Sequence, residues 1–410
     1  MQVFAQVRIS SPYSLFGVGQ LRVGSYNVIL MSMGGIRNAM SSPYYVNYSN
    51  PASYTAFDST SFIFEGAVLT NYTNLKTSEL SENATYGSLG YILLGFPISR
   101  WWKSSLGLLP FSDVGYNMVE EQSLTNIGKT QTAYEGSGGI NNLFWGNGFK
   151  ITKNFSLGFN AIYYFGSIDK TRSVYFPDSL LTYLNTRIIN KIRISDLSLN
   201  FGALYKKTLK NDLVFSTGLS FGYETNISAE REYLSQTFQG GINSVEYFVD
   251  TITYEPKQKG NIKIPTYTGV GFALESPDHW LIGADFNWQN WEKYSAFGYS
   301  DSLRNSFDVA IGGYFIPDKH SIHGYFKKVT YRFGGRYSTT YLNLKNKQIS
   351  EFGISFGLGL PLIHSKSTLN LGFEFGRRGT TSNNLIQESF IKFTLGISIY
   401  ERWFIKSKYH

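Results

Sequence analysis

The sequence contains no cysteine, which excludes a disulfide framework and any thiolate-ligated metal. Charged residues make up only 16% of its 410 positions, well under the quarter or so usual in globular proteins. Proline is sparse, at 11. No stretch approaches the roughly 18 consecutive apolar residues that a membrane-crossing helix needs. Mean hydropathy is slightly negative, so bulk hydrophobicity alone would describe a soluble chain. The net charge of +8 does not point to nucleic acid. Lysine and arginine are scattered near turns, as at Lys206-Lys207, Lys327-Lys328 and Lys345/Lys347, rather than gathered on one surface.

What is present is aromatic and small: 30 Tyr, 32 Phe and 41 Gly. Few charges, many aromatics and many glycines without spanning helices fit a transmembrane β-barrel better than a large soluble all-β protein. The stretch HWLIGADFNWQNW, His279–Trp291, carries the argument. Trp280, Ile282, Ala284, Phe286 and Trp288 alternate with Leu281, Gly283, Asp285, Asn287 and Gln289. A period of two is a strand with two unlike faces. The pattern recurs at Phe352–Leu360 against Glu351–Gly359, at Leu369–Phe375 against Asn370–Gly376, and at Ile391–Ile399 against Lys392–Ser398. In a soluble sandwich all these Phe, Leu and Trp side chains would share one core, and the solvent face would be glycine and serine rather than charge. An apolar face toward lipid and a small polar face toward a lumen fit better. Asp285, Asn287, Gln289, Glu351 and Glu374 are thereby expected to face the lumen.

About 14 such strands follow from Ser59 onward, an even number as outer-membrane barrels prefer. The expected third strand is 101–111, and the last is 389–402. Long connections at 70–84, 112–135, 167–191, 227–261, 291–304, 339–348 and 378–388 alternate with short turns. In outer-membrane barrels the long side faces outward. Trp101-Trp102, Trp280, Trp291 and Trp403 suit interfacial aromatic girdles. Residues 59–410 are therefore read as an all-β, antiparallel transmembrane barrel.

Residues 7–58 differ. They hold glycines and prolines with short apolar pieces but no sustained alternation. Phe16, Leu21, Tyr26, Ile29, Tyr44 and Tyr45 make them too apolar for disorder. They are expected to fold as a compact plug inside the lumen. Met1–Gln6 is read as the tail of a secretory signal peptide, or else an ordinary chain end.

With these elements placed, the sequence resembles the FadL/TodX family of outer-membrane transporters for hydrophobic compounds, and within it a divergent Bacteroidota branch. The resemblance rests on SPYSLFGVG (Ser11–Gly19), Met33-Gly34-Gly35, NPASY (Asn50–Tyr54), GLLPFSDVGY (Gly107–Tyr116), Trp280–Trp291, KVTYRFGGRY (Lys328–Tyr337) and the block from Gly353 to Phe404. It implies a 14-stranded barrel plugged by an N-terminal hatch. Phe16, Gly17, Gly34, Gly35, Asn50 and Pro51 are the corresponding hatch positions. It also implies a kink in the third strand through which a lipophile leaves sideways. Pro110, Phe111 and Gly115 are the candidates, because proline cannot donate to a strand ladder. Alternatively, Pro110 simply ends a strand. The partners implied are outer-membrane lipids, a long-chain fatty acid or similar hydrophobic small molecule, and other outer-membrane proteins through the long outer loops.

Little supports enzyme chemistry, and no cofactor is implied. Four of the five histidines, His279, His320, His323 and His364, fall in or beside expected short turns, and His410 is the last residue. His320 and His323 form an H-x-x-H pair without an evident third ligand. GVGQLRVG, Gly17–Gly24, lacks the strand–turn–helix setting of a phosphate loop. Glu120-Glu121 reads as a loop charge pair. Two functions remain: passive uptake of a hydrophobic molecule through a plugged barrel, or an accessory barrel in a larger outer-membrane assembly.

Overall fold

The computed structural model describes residues 11–22, 27–125, 127–177, 183–242, 244–363 and 365–402. The expectations for residues 1–6, Trp403, His364 and His410 lie outside them. Fourteen antiparallel strands close on themselves. They are β1 (Ser61–Lys76), β2 (Ser81–Pro97), β3 (Trp102–Leu124), β4 (Gly128–Lys150), β5 (Phe155–Tyr175) and β6 (Asn185–Thr208). Next come β7 (Val214–Gly222, continuing as Thr225–Gln239) and β8 (Tyr247–Ile264, continuing as Tyr267–Ser276). The remainder are β9 (Trp280–Gln289), β10 (Ser306–Phe315), β11 (Thr330–Leu344), β12 (Lys347–Pro361), β13 (Thr368–Gly379) and β14 (Gln387–Arg402). β14 pairs with β1 from Gln387↔Lys76 to Arg402↔Ser61, so the sheet has no open edge at its seam.

The two faces of the alternating strands have opposite surroundings. In β9, Trp280, Ile282 and Phe286 are exposed on the outer wall, while Leu281, Asp285 and Asn287 are buried inside. In β12, Phe352, Ile354 and Phe356 are exposed, while Glu351 and Ser355 are buried. A wall that shows apolar side chains outward and polar ones inward is stable only with lipid around it.

The stretches expected as long loops are largely strand. Residues 112–124 and 128–135 continue the pairing of β3 and β4 up to Leu124↔Gly128. Residues 185–191 and 227–239 belong to β6 and β7, paired to each other as far as Asn185↔Phe238. Residues 167–175 and 247–261 continue β5 and β8. Glu120-Glu121 thus sits on a strand, where Glu121 pairs with Lys129 at 3.0 Å. The alternation fades there because neither face meets lipid, so nothing selects a greasy side. β3 to β8 together form a six-stranded extension at the end that is extracellular in outer-membrane barrels. Arg187 braces it: its Nη2 donates to Glu246 Oε1 at 2.7 Å and holds that carboxyl below the usual range. The hairpin between β11 and β12 closes through Lys345 and Asn346, both at positive φ, as a two-residue turn requires.

Trp291 is not a girdle residue. It is 1% exposed and packs inside, with its ring 4.5 Å from Tyr341 and 5.7 Å from Tyr294. It follows β9 in a helical turn (Trp291–Lys293), which carries it inward.

The described residues of the N-terminal segment pack against inward-facing residues of successive wall strands. The helical turn Val28–Met31 packs near Gly372 and Gly396, capped by Asn27, whose side chain accepts from Ile29 N–H at 2.8 Å. Gly34 then lies against Ile311 and Gly335, Asn38 against β7 to β9, and Pro51 against Gly158. The lumen glycines make room for this backbone. A side chain at Gly218 would strike the Asn38 carbonyl, and one at Gly334 would strike Gly34. Close approach of two backbones is what glycine permits here.

Candidate functional site

Among the described residues, the closed wall has one break, between β2 and β3. β2 pairs with β3 only from Pro97↔Lys103 to Ile92↔Leu108. Beyond that point β2 continues along β1, and β3 continues along β4 without pairing to β2. Pro110 marks the parting. It still pairs with Asn141, but the register shifts before Ser112↔Ile140, a bulge that turns β3 away from β2. Pro110 therefore sits in mid-strand and does not end one. A second bulge in β2 lies between Tyr91 and Leu89, where Gly90 is skipped. Across the wall from the β3 bulge, Gly138, Gly139 and Gly166 have φ of 103°, 155° and 155°. The bend thus continues through β4 and β5. Phe111 packs edge-on against Tyr164, with ring centres 5.0 Å apart.

The free edge of β3 is filled by the N-terminal segment. Gln20 and Leu21 pair with Asp113 and Ser112. Ser11 N–H donates to Gly115 O at 2.8 Å, Arg22 N–H to Phe111 O at 3.0 Å, and Gly115 N–H to Ser14 Oγ at 3.1 Å. Arg22 spans the break: Nε donates to the Asp113 carboxylate on β3, and Nη2 to Ser88 Oγ on β2 at 2.7 Å. Phe16 is half-buried in the same layer, and Gly17 N–H donates to Asp301 Oδ2 at 2.8 Å.

The rest of the segment is tied to the wall by polar groups. Asp285 Oδ2 accepts from the backbone N–H of Arg37 (2.7 Å) and Asn38 (2.9 Å). Asn287 Oδ1 accepts from Asn38 Nδ2 at 2.9 Å. Arg37 pairs with Asp308 at 3.0 Å. Gly34 N–H donates to Ser355 Oγ at 2.8 Å, and Gly35 N–H to Leu30 O at 2.9 Å with φ of 85°. Asn50 caps the turn that starts at Pro51 and donates to Asn38 O and to Ala203 O of β6. Gln289 lies higher and donates to Pro265 O at 3.3 Å. Removing the Asp285 carboxylate leaves two buried amides without an acceptor, at about 1–3 kcal/mol each. Asp285→Ala is expected to speed hydrogen exchange at Arg37 and Asn38 while strand amides of β12 and β13 stay protected.

Glu351 and Glu374 belong to a buried charge network on β11 to β14. Arg336 joins both, contacting Glu351 and lying 2.6 Å from Glu374. Arg378 bridges Glu351 at 2.5 Å to Glu388 at 3.3 Å. Lys392 reaches Glu374 at 3.2 Å, and Ser11 Oγ donates to Glu388 at 2.5 Å. Three cations and three carboxylates balance. The network was hidden in the sequence because its six members sit on four strands, although each falls on the polar register of its strand.

Above the segment is a cavity of about 240 Å³. Tyr48, Tyr164 and Tyr267 line it, with Arg37, Arg336 and Arg378, and it extends to Arg22 and Asp113 at the wall break. Leu69, Ile162, Ile264, Phe307 and Leu342 line it as well, so the chamber is mostly apolar, with charged groups set among aromatic and aliphatic side chains. Among the described residues, no group of three His, Asp or Glu side chains converges as a metal would require. His320 and His323 are both exposed in the connection before β11.

Residues 1–410 match the family model described as BamG. The chain belongs to the BamG family. That name differs from the FadL/TodX resemblance, which holds at the level of fold. Among solved structures, the CymD monoaromatic hydrocarbon channel superposes with a TM-score of 0.60 at 10% identity, over 93% of this chain and 99% of that one. The toluene transporter TodX of P. putida gives 0.59 at 14% identity, over 93% and 99%. A FadL homologue of Pseudomonas aeruginosa gives 0.58 at 12% identity, over 94% and 99%. No curated protein matches the sequence. This BamG-family chain is an outer-membrane β-barrel with the FadL-like architecture.

Proposed function

We propose that this BamG-family protein is an accessory, non-enzymatic barrel of a larger outer-membrane assembly, with residues 7–58 acting as a plug and 59–410 as the wall. The observation that carries the reading is the closed conduit. The break between β2 and β3 is occupied by paired backbone and by Arg22, whose partner Asp113 is buried, and charge-paired side chains interrupt the apolar lining of the chamber behind it. An apolar molecule crossing it would have to unpair buried charges, at several kcal/mol. The family match supports the same reading. Extraction in mild detergent is expected to yield the chain in a defined complex with other outer-membrane proteins. A clean monomer from such extracts would sink the proposal.

A second reading, passive uptake of a hydrophobic molecule such as a long-chain fatty acid, is favoured by one observation: the cavity reaches the wall break. On this reading Arg22, Pro110, Phe111 and Gly115 form a lateral exit that opens when residues 11–22 withdraw. Mass spectrometry of the purified barrel would then find a stoichiometric lipophile, and labelled fatty acid would bind. Finding neither removes this reading.

A further inference from the structure

The extension above the lipid band ends, on the side of β9, in an unpaired edge. From Tyr247 to Lys259, β8 pairs with β7 alone. On its other side, the first backbone hydrogen bond among the described residues is at Asn261, whose carbonyl accepts from Phe297 N–H at 2.9 Å. An edge of this kind is a template for another strand, and proteins normally blunt it with lysine, proline or bulges. The lower part is so protected, by Pro256, Lys257 and Lys259 and a bulge between Glu255 and Gln258. The upper part, Tyr247–Glu255, also shifts register, between Phe248 and Asp250 and between Thr251 and Thr253, but it carries neither lysine nor proline. Tyr247, Phe248, Ile252 and Tyr254 are 65%, 64%, 59% and 54% exposed, and Val245 and Val249 are exposed beside them. They stand far above the outer wall that faces lipid, since their partners on β7 run from Leu234 to Gln239. Together these side chains expose on the order of 700 Å², close to the roughly 800 Å² each partner gives a stable interface.

We infer that Tyr247–Glu255 is a docking edge for an extended segment of a second protein, added antiparallel to β8. The inference deepens the accessory-subunit reading and rests on it. A row of unpaired backbone groups with apolar side chains on both faces is satisfied by a polypeptide strand and not by lipid or sugar. The occupant is a segment of about five to eight residues, rich in apolar side chains and free of proline. A second copy of this chain does not fit. Two copies in one membrane would be related by a twofold axis along its normal, so their β8 strands would run parallel. In a parallel ladder, a residue whose groups face the partner pairs with one whose groups face away. Twofold symmetry makes both members of each pair face the same way.

The test uses the full chain in cells, with a photoreactive amino acid at Tyr247 or Ile252, and a control at Val119, which is exposed near the other edge of the extension on β3. Crosslinks from 247 and 252, but not 119, are expected to enter one stretch of a single second protein. In the co-purified complex, amides 247–254 should exchange at least about tenfold more slowly than in the isolated chain. Ile252→Lys, on an exposed side chain, should abolish both while the barrel folds normally. Crosslinks only to another copy or to lipopolysaccharide would overturn the inference. So would a complex that survives Ile252→Lys with the edge amides unprotected, although the accessory-subunit reading would then stand. Absence of any stable complex would remove that reading and the inference with it.

Discussion

Arg336→Ala is expected to lower the stability of the folded barrel by about 3 kcal/mol, at the low end of the 3–5 kcal/mol that breaking a buried ion pair costs. The low end applies because Arg336 borders the cavity and water can reach the gap. Arg336 is the link between Glu351 and Glu374, and its loss leaves three buried carboxylates facing two cations. The more discriminating variant removes a charge of each sign. Arg336→Met combined with Glu351→Leu leaves two complete pairs, Arg378 with Glu388 and Lys392 with Glu374. It should recover most of the loss, since a balanced buried network can be replaced by apolar side chains at little cost. Denaturant unfolding of the detergent-folded protein, followed by tryptophan fluorescence, measures both. A double variant that loses the sum of the two single losses would show that the six groups do not act as one network.

Asp113→Lys is expected to release residues 11–22 from the wall break. It places a second cation against Arg22, which now holds Asp113 on β3 and Ser88 on β2. Loss of a buried pair at about 3–5 kcal/mol corresponds to a rise of roughly 10²- to 4 × 10³-fold in the open population. Hydrogen exchange at Ser11 and Arg22, whose amides bond to Gly115 and Phe111, should accelerate accordingly. The ladder between β12 and β13 should not change. Unaltered exchange at 11–22 would mean that the ladder pairs Gln20↔Asp113 and Leu21↔Ser112 hold the segment without the latch. Under the transport reading, the same variant should also increase binding of labelled lipophile.

The barrel was legible because lipid enforces a simple rule. Each wall strand has to be apolar on one side, so β9, β12, β13 and β14 announce themselves by alternation. Where strands leave the lipid the rule lapses, and 112–124, 185–191 and 227–261 read as loops. Pro110 shows the limit at a single residue. From sequence it was either a kink or a strand end, and only its pairing with Asn141, followed by the shift at Ser112, makes it a bulge. Trp291 shows the same limit: a tryptophan just past a strand suits a membrane girdle, but the helical turn after β9 carries it inside.

Residue patterning alone establishes an all-β outer-membrane wall of about 14 strands, and which register of each strand turns away from lipid. Asp285, Asn287, Glu351 and Glu374 all lie on that register. What those side chains hold was decided by tertiary structure alone. Asp285 caps the amides of Arg37 and Asn38, 248 and 247 positions away, and Arg22 closes a break between β2 and β3. The reason is physical: a period of two is a local property of the chain, whereas a hydrogen bond across a lumen depends on which distant strands the closed sheet brings face to face.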